Sequence, residues 1–105
     1  MDNYITVFVT APNKDVGEKI ASVLLEKKLV ACVNIVDNIT SMYWWKGKLC
    51  KDNECFLMMK TIAGNFNKVK ETVLEHHPYE VPEIISIKIK DGHVDYLDWI
   101  KHSCK

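Results

Sequence analysis

Residues 4–10 and 56–59 are apolar on both of the faces that a β-strand presents, and this constrains the chain more than any other feature. Alternate side chains of an extended segment point to opposite sides, so Ile5, Val7 and Val9 oppose Tyr4 and Phe8. Phe56, Leu57, Met58 and Met59 leave no polar face either. A strand of this kind belongs in a sheet with both sides covered, and the rest of the chain has to supply or recruit the two covers.

The first strand stops at Ala11-Pro12-Asn13, a turn into a helix with Asn13 as its N-cap. Val16, Ile20, Val23, Leu24 and Leu29 recur at helical spacing, while Lys19, Lys27 and Lys28 fall on the solvent side. Residues 30–36 read as a second strand, which Asp37-Asn38 interrupts before residues 39–45 turn extended again, a pattern that suggests a bulge. Trp45-Lys46-Gly47-Lys48 is a hairpin tip, and residues 49–61 return, with Lys51-Asp52-Asn53 polar enough to bend or bulge that strand. After Gly64, with Asn65 as a cap, Phe66, Val69, Val73 and His77 share one helical face. Pro78 disfavours helical geometry in the residue before it and ends this helix near His77. Pro82 starts a fourth strand, residues 83–90, with Ile85, Ile87 and Ile89 on one face and Ser86, Lys88 and Lys90 on the other. Asp91-Gly92 turns into a last helix carrying Val94, Tyr96, Leu97, Trp99 and Ile100.

The expected architecture is α+β, a ferredoxin-like βαββαβ sandwich with a long β-hairpin and a C-terminal helix, in a single domain over residues 1–105. Its two main helices cover one face of the sheet. The economical cover for the other face is a second copy of the same surface, so a closed homo-oligomer is expected.

Fourteen basic residues, all lysine, balance fourteen acidic ones. A neutral chain without arginine forks does not read as a nucleic-acid binder. No apolar run approaches the roughly 18 residues of a membrane span, and Met1-Asp2-Asn3-Tyr4 carries no basic or apolar leader, so cytoplasmic residence without a membrane partner is expected. Cys32, Cys50, Cys55 and Cys104 form no C-x-x-C pair and are expected as reduced thiols.

Residues 74–83 concentrate the chemistry, with His76, His77, Tyr79, Glu80 and Glu83 between Pro78 and Pro82. Neutral imidazoles bind copper, zinc or nickel, although neighbouring residues at a helix end project about 100° apart and do not share one ion as an i,i+4 pair would. The competing reading packs His77 on the apolar stripe and leaves His76 at the helix C-terminus, where positive charge is favoured. His77 beside Glu80 or Glu83 could move a proton. No nucleophile signature, phosphate loop or H-E-x-x-H helix accompanies them, and the chain is expected not to be an enzyme. Tyr43, Trp44 and Trp45 can stack on a ligand or pack on a neighbouring subunit. Lys60, emerging from an apolar strand, can hold an anion or pair with Glu80 or Glu83.

Thr10-Ala11-Pro12, Ala31-Cys32-Val33-Asn34, Ser41-x-Tyr43-x-Trp45-x-Gly47-x-Leu49, Glu54, Lys60-Thr61, residues 77–83 and Tyr96-Leu97-x-Trp99 occur in one order. Over essentially its whole length the chain resembles the CutA family of divalent-cation tolerance proteins. The resemblance implies a homotrimer, similar in design to the PII signalling proteins, whose long hairpins extend sheets across subunit boundaries. It also implies a response to divalent metals and weak Cu(II) binding. The copper ligands of some bacterial members fall on His76, His77 and the position of Val9, where those members have cysteine. The similarity to PII proteins implies an alternative, inter-subunit clefts lined by Tyr43, Trp45, Lys60, Tyr79, Glu80 and Glu83 that take a small ligand and signal through the hairpins. A scaffold for a protein partner is a third reading. The expected trimer interface contains Tyr43, Trp44, Trp45 and Trp99.

Overall fold

The computed structural model describes residues 3–105; Met1 and Asp2, which open the segment read above as lacking a leader, lie outside the described residues. The elements are β1 (Tyr4–Ala11), α1 (Lys14–Glu26), β2 (Cys32–Trp45), β3 (Lys48–Ile62), α2 (Phe66–His76), β4 (Ile84–Ile89) and α3 (Val94–Ser103). The strands form one antiparallel sheet in the order β2-β3-β1-β4, which is the ferredoxin-like arrangement.

Ile5, Val7 and Val9 of β1 and Leu57 and Met59 of β3 point to the helix side. There they pack with Ile20 and Leu24 of α1 and Val69 and Val73 of α2 in one buried cluster. Tight contact between α1 and the sheet depends on Gly17, where an added Cβ would stand 3.0 Å from Cys55 Sγ and 3.2 Å from Leu57 Cδ2. Asn13 caps α1 as expected, its side chain accepting from Val16 N–H at 2.9 Å. The other end closes as a Schellman motif: Leu29 N–H donates to Leu24 O and Lys28 N–H to Leu25 O, with Lys28 itself at φ 57°.

The opposite sheet face carries Phe8, Phe56, Met58, Ile85 and Ile87, and α1 and α2 do not reach it. Phe8 and Phe56 stack at 5.4 Å, while Ile85 and Ile87 are 50% and 54% exposed. The two-sided strands are therefore real, and within one chain only one side is covered.

Three local expectations are corrected. The bulge lies wholly in β2: Val36 pairs with Phe56 and Ile39 with Glu54, so Asp37 and Asn38 share Cys55, and β3 runs through residues 51–53 without a shift. Asn65 makes no capping bond to α2; it closes a 3₁₀ turn and turns inward, donating from Nδ2 to Leu29 O at 3.1 Å. Strand β4 begins at Ile84, two residues after Pro82. At the hairpin tip Lys46 and Gly47, at φ 50° and 77°, form a tight two-residue turn of the kind that matches strand twist.

Candidate functional site

The β2 bulge decides which side chains reach the functional surface. Before it, the even-numbered Cys32, Asn34 and Val36 share a face with Phe56, Met58 and Lys60; after it, the odd-numbered Ile39, Ser41, Tyr43 and Trp45 share a face with Glu54, Asp52, Cys50 and Lys48. One extra residue thus turns Tyr43 and Trp45 onto the Glu54 side. The α2–β4 connection, shaped by Pro78 and Pro82, runs opposite this face. Between them lies an open cavity of about 890 Å³, lined by Thr10, the 41–45 strand, Asp52, Glu54 and residues 78–83. Its wall carries four aromatic rings (Tyr43, Trp44, Trp45, Tyr79), four carboxyl groups (Asp52, Glu54, Glu80, Glu83), and no lysine.

Two hydroxyl–carboxylate bonds organise that wall. Tyr79 Oη donates to Glu54 Oε2 at 2.8 Å, and Tyr43 Oη donates to Asp52 Oδ2. Glu54 is only 7% exposed, so the tyrosine supplies a donor to a carboxylate that has little water. Both phenols are held protonated beyond the ordinary range of tyrosine. For Tyr43 the hydrogen bond to Asp52 comes first and the pKa is pushed up to about 12. For Tyr79, burial comes first and the bond to Glu54 second.

The two histidines part company. His77 is buried at the end of α2; its Nε2–H donates to Thr10 O at 2.6 Å, and its Nδ1 accepts from Tyr79 N–H at 3.2 Å. The ring also lies 4.7 Å from that of Tyr79. His77 therefore joins β1, α2 and the cavity wall, and both of its nitrogens are in use. His76 is exposed, bonded through Nδ1 to Thr72 O at 2.9 Å, and faces Asp15 and Glu18 of α1 across a shallow depression. The residues present do not fit a two-imidazole copper chelate, because only His76 Nε2 is uncommitted. Among the described residues no three His, Cys, Asp or Glu side chains gather as a metal cluster. Val9 is fully buried in the core.

Tyr43, Trp45, Tyr79, Glu80 and Glu83, expected in a cleft between subunits, line a cavity within this single chain. Lys60 is not on its wall. It stands opposite Thr6 and Cys32 and donates to Asn34 Oδ1, so the expected pairing with Glu80 or Glu83 does not form. Trp44 is 73% exposed on the hairpin, and Trp99 is exposed on α3 against Tyr96, at 5.5 Å between rings. Asp52 and the burial of Glu54 were not anticipated. Counting back from the two-residue turn places both residues in register: Trp45 opposite Lys48 sets Tyr43 opposite Cys50, one diagonal step from Asp52, and Ile39 opposite Glu54 before the bulge is reached, although it does not foretell the burial of Glu54.

Comparison with known proteins matches residues 5–103 to the family described as CutA1 divalent ion tolerance protein. A rice relative, "Protein CutA 1, chloroplastic", is 45% identical over 101 residues, covering 96% of this chain. The "Divalent-cation tolerance protein CutA" of Thermus thermophilus is 44% identical over 97 residues, covering 92% of this chain and 94% of its own length. This chain spans 57% of the rice protein's length and 52% of that of the human "Protein CutA", to which it is 43% identical. The crystal structure of rice CutA1 superposes with a TM-score of 0.95 at 44% identity, covering 98% of this chain and 94% of that one. The Thermus thermophilus structure gives 0.95 at 42% identity, covering 97% and 99%. With the fold and nearly the whole sequence in agreement, the chain belongs to the CutA1 family of divalent ion tolerance proteins.

Proposed function

We propose that this protein acts as a non-enzymatic homotrimer in tolerance of, or response to, divalent cations in the cytoplasm. The observation that carries the assembly is the uncovered sheet face, with Ile85 and Ile87 half exposed beside the Phe8–Phe56 stack. An apolar face of this kind is covered by an equivalent surface in closed assemblies. The printed description of the family supports the cation role. Light scattering at micromolar concentration should give three chains per particle; one chain per particle would remove the reading.

The copper component of this role narrows to His76. Its free Nε2 offers a single imidazole, and one such ligand binds Cu(II) weakly. A calorimetric titration with Cu(II) should show weak heat that is lost in His76→Ala and in the His76→Ala, His77→Ala double variant. No heat, or heat unchanged in the double variant, takes copper out of the function.

A second reading is favoured by one observation, the cavity that gathers Tyr43, Trp45, Tyr79, Glu80 and Glu83. It makes the trimer a small-molecule sensor that signals through its hairpins. A thermal-shift screen that finds no stabilising ligand among small anions, nucleotides and amines would dispose of it.

A further inference from the structure

We propose that Asp91-Gly92 is a site of spontaneous main-chain modification, where Asp91 closes to a cyclic imide on Gly92 N and reopens as isoaspartate, loosening the start of α3. Strand β4 ends at Ile89, which pairs with Tyr4. The next anchor is His93, whose carbonyl accepts from Leu97 N–H at 3.0 Å and whose Nδ1 accepts from Tyr96 N–H at 3.4 Å. Between these anchors Asp91 and Gly92 are exposed and belong to no helix or strand. Among the described residues Gly92 N–H donates to no acceptor, and the Asp91 carboxylate has no hydrogen-bond or ion-pair partner. Nucleophile and electrophile are thus chain neighbours, solvated and free to turn toward each other.

The other described aspartates lack this combination. Asp15, Asp95 and Asp98 lie in helices and Asp52 in β3, where backbone torsions are fixed. Asp37 lies in β2, and the N–H of Asn38 after it is already donated to Asp37 Oδ1 at 2.8 Å. Each of them is also followed by a residue whose side chain crowds the attacking nitrogen, which Gly92 does not. In the first step Gly92 N bonds to Asp91 Cγ, the C–OH bond of the protonated carboxyl breaks, and the amide proton leaves with that hydroxyl as water. One water then adds to the former main-chain carbonyl of Asp91 and breaks its bond to Gly92 N. The chain now runs through Cβ and Cγ, the carboxylate sits on Cα, and the sum is an isomerisation that consumes nothing. The extra main-chain carbon enters where there is little slack, since a Cβ on Gly92 would stand 3.0 Å from Leu97 Cδ2. It pushes Gly92 off Leu97 and draws His93 away from the first turn of α3, so Tyr96 and Leu97 N–H lose their acceptors.

Peptide mapping of the intact chain, aged at neutral pH and physiological temperature, tests the site. Cleavage after lysine releases residues 91–101 as one peptide. Over weeks this peptide should gain a second chromatographic form of identical mass, at a rate within about three-fold of the urea-unfolded chain, whereas folding should slow the same reaction at Asp52 about ten-fold or more. In water labelled with heavy oxygen the second form should carry one heavy oxygen. Asp91→Glu, which keeps the charge but can close only a larger and slower-forming ring, should abolish it. No second form when the unfolded chain yields one, a form that persists in Asp91→Glu, or one that takes up no label each overturns the site. Hydrogen exchange on the converted protein should show the Tyr96 and Leu97 amides exchanging about ten-fold faster, with Val7 unchanged. Unchanged protection of Tyr96 and Leu97 overturns the loosening of α3.

Discussion

Tyr43 and Tyr79 show how two side chains can set the character of a wall. Each phenol donates to a carboxylate, and each is thereby kept neutral to a higher pH than a free tyrosine. A tyrosine whose folded pKa lies above its unfolded value of about 10 favours the folded state fully below pH 10, and this contribution fades as pH rises toward the folded pKa. For Tyr43 that window runs from about 10 to about 12. A spectrophotometric titration of the phenolates should therefore show a late component, and Asp52→Asn should move it toward pH 10 by removing the negative charge. A titration curve identical in the variant would separate Tyr43 from Asp52. A second residue matters through its backbone. Lys28 holds φ 57° at the end of α1, a left-handed conformation that costs a residue with a Cβ about 1–2 kcal/mol. After allowing for the greater freedom of glycine in the unfolded chain, Lys28→Gly should raise stability by about 0.5–1 kcal/mol in urea unfolding, while Lys28→Ala should change it little. Equal effects of the two variants would assign the result to the lost ammonium instead.

Among the elements, the long hairpin carries the most information, and its bulge shows where sequence reading reaches its limit. Periodicity places β1, α1, α2, β4 and α3 because each has a face in one cluster or an alternation that a single window reveals. The polar pair Asp37-Asn38 likewise marks the break in β2. Which of the facing strands absorbs the irregularity depends on pairing, and Lys51-Asp52-Asn53 looks equally able to do so by composition; only the register, with Asn38 at φ 65°, assigns it to β2. Lys60 shows the same limit. Its place in the sequence beside Thr61 says nothing of Asn34, twenty-six residues away, which accepts its ammonium. The cleft residues Tyr79, Glu80 and Glu83 are legible because two prolines fix their loop, whereas Asp52, whose role comes from a strand partner, is reached only by counting the register back from the turn. Deleting Asn38 tests the bulge directly. The strand beyond should slip by one residue, turning Met42 and Trp44 to the Glu54 side and Tyr43 away from Asp52. The Tyr43 part of the late phenolate titration should then return toward pH 10 while the Tyr79 part stays, with stability falling by about 2 kcal/mol or more. Survival of the Tyr43 part would mean that pairing beyond the bulge does not depend on the extra residue.

At the scale of the molecule, a 44 × 26 × 22 Å shape has to be reconciled with a small core. Fourteen residues of β2 at about 3.3 Å each span roughly 46 Å, so the hairpin accounts for the long axis. Beyond Glu54 it is a two-stranded ribbon, with Met42, Trp44 and Leu49 between 60% and 73% exposed. Such a ribbon is marginal in water without a third strand or a packing partner. The ribbon and the uncovered sheet face are thus two expressions of one shortage: the chain has more apolar surface than its own helices can cover. Ile87 offers a clean test, because in a single chain it is 54% exposed and a polar replacement there should cost about 0.5 kcal/mol or less. If copies meet on this face, Ile87→Glu removes about half of the roughly 1.5–3 kcal/mol of fully burying an isoleucine, since Ile87 is already partly covered, and places an unpaired carboxylate in an apolar contact, repeated in every subunit. Ile87→Glu should then shift the particle from oligomer to monomer at micromolar concentration and lower its thermal stability. Leu25→Glu, on an exposed turn of α1, should do neither. An Ile87→Glu protein that keeps both the particle mass and the melting temperature of the wild type would show that the copies meet elsewhere, leaving the hairpin as the remaining surface through which this chain assembles.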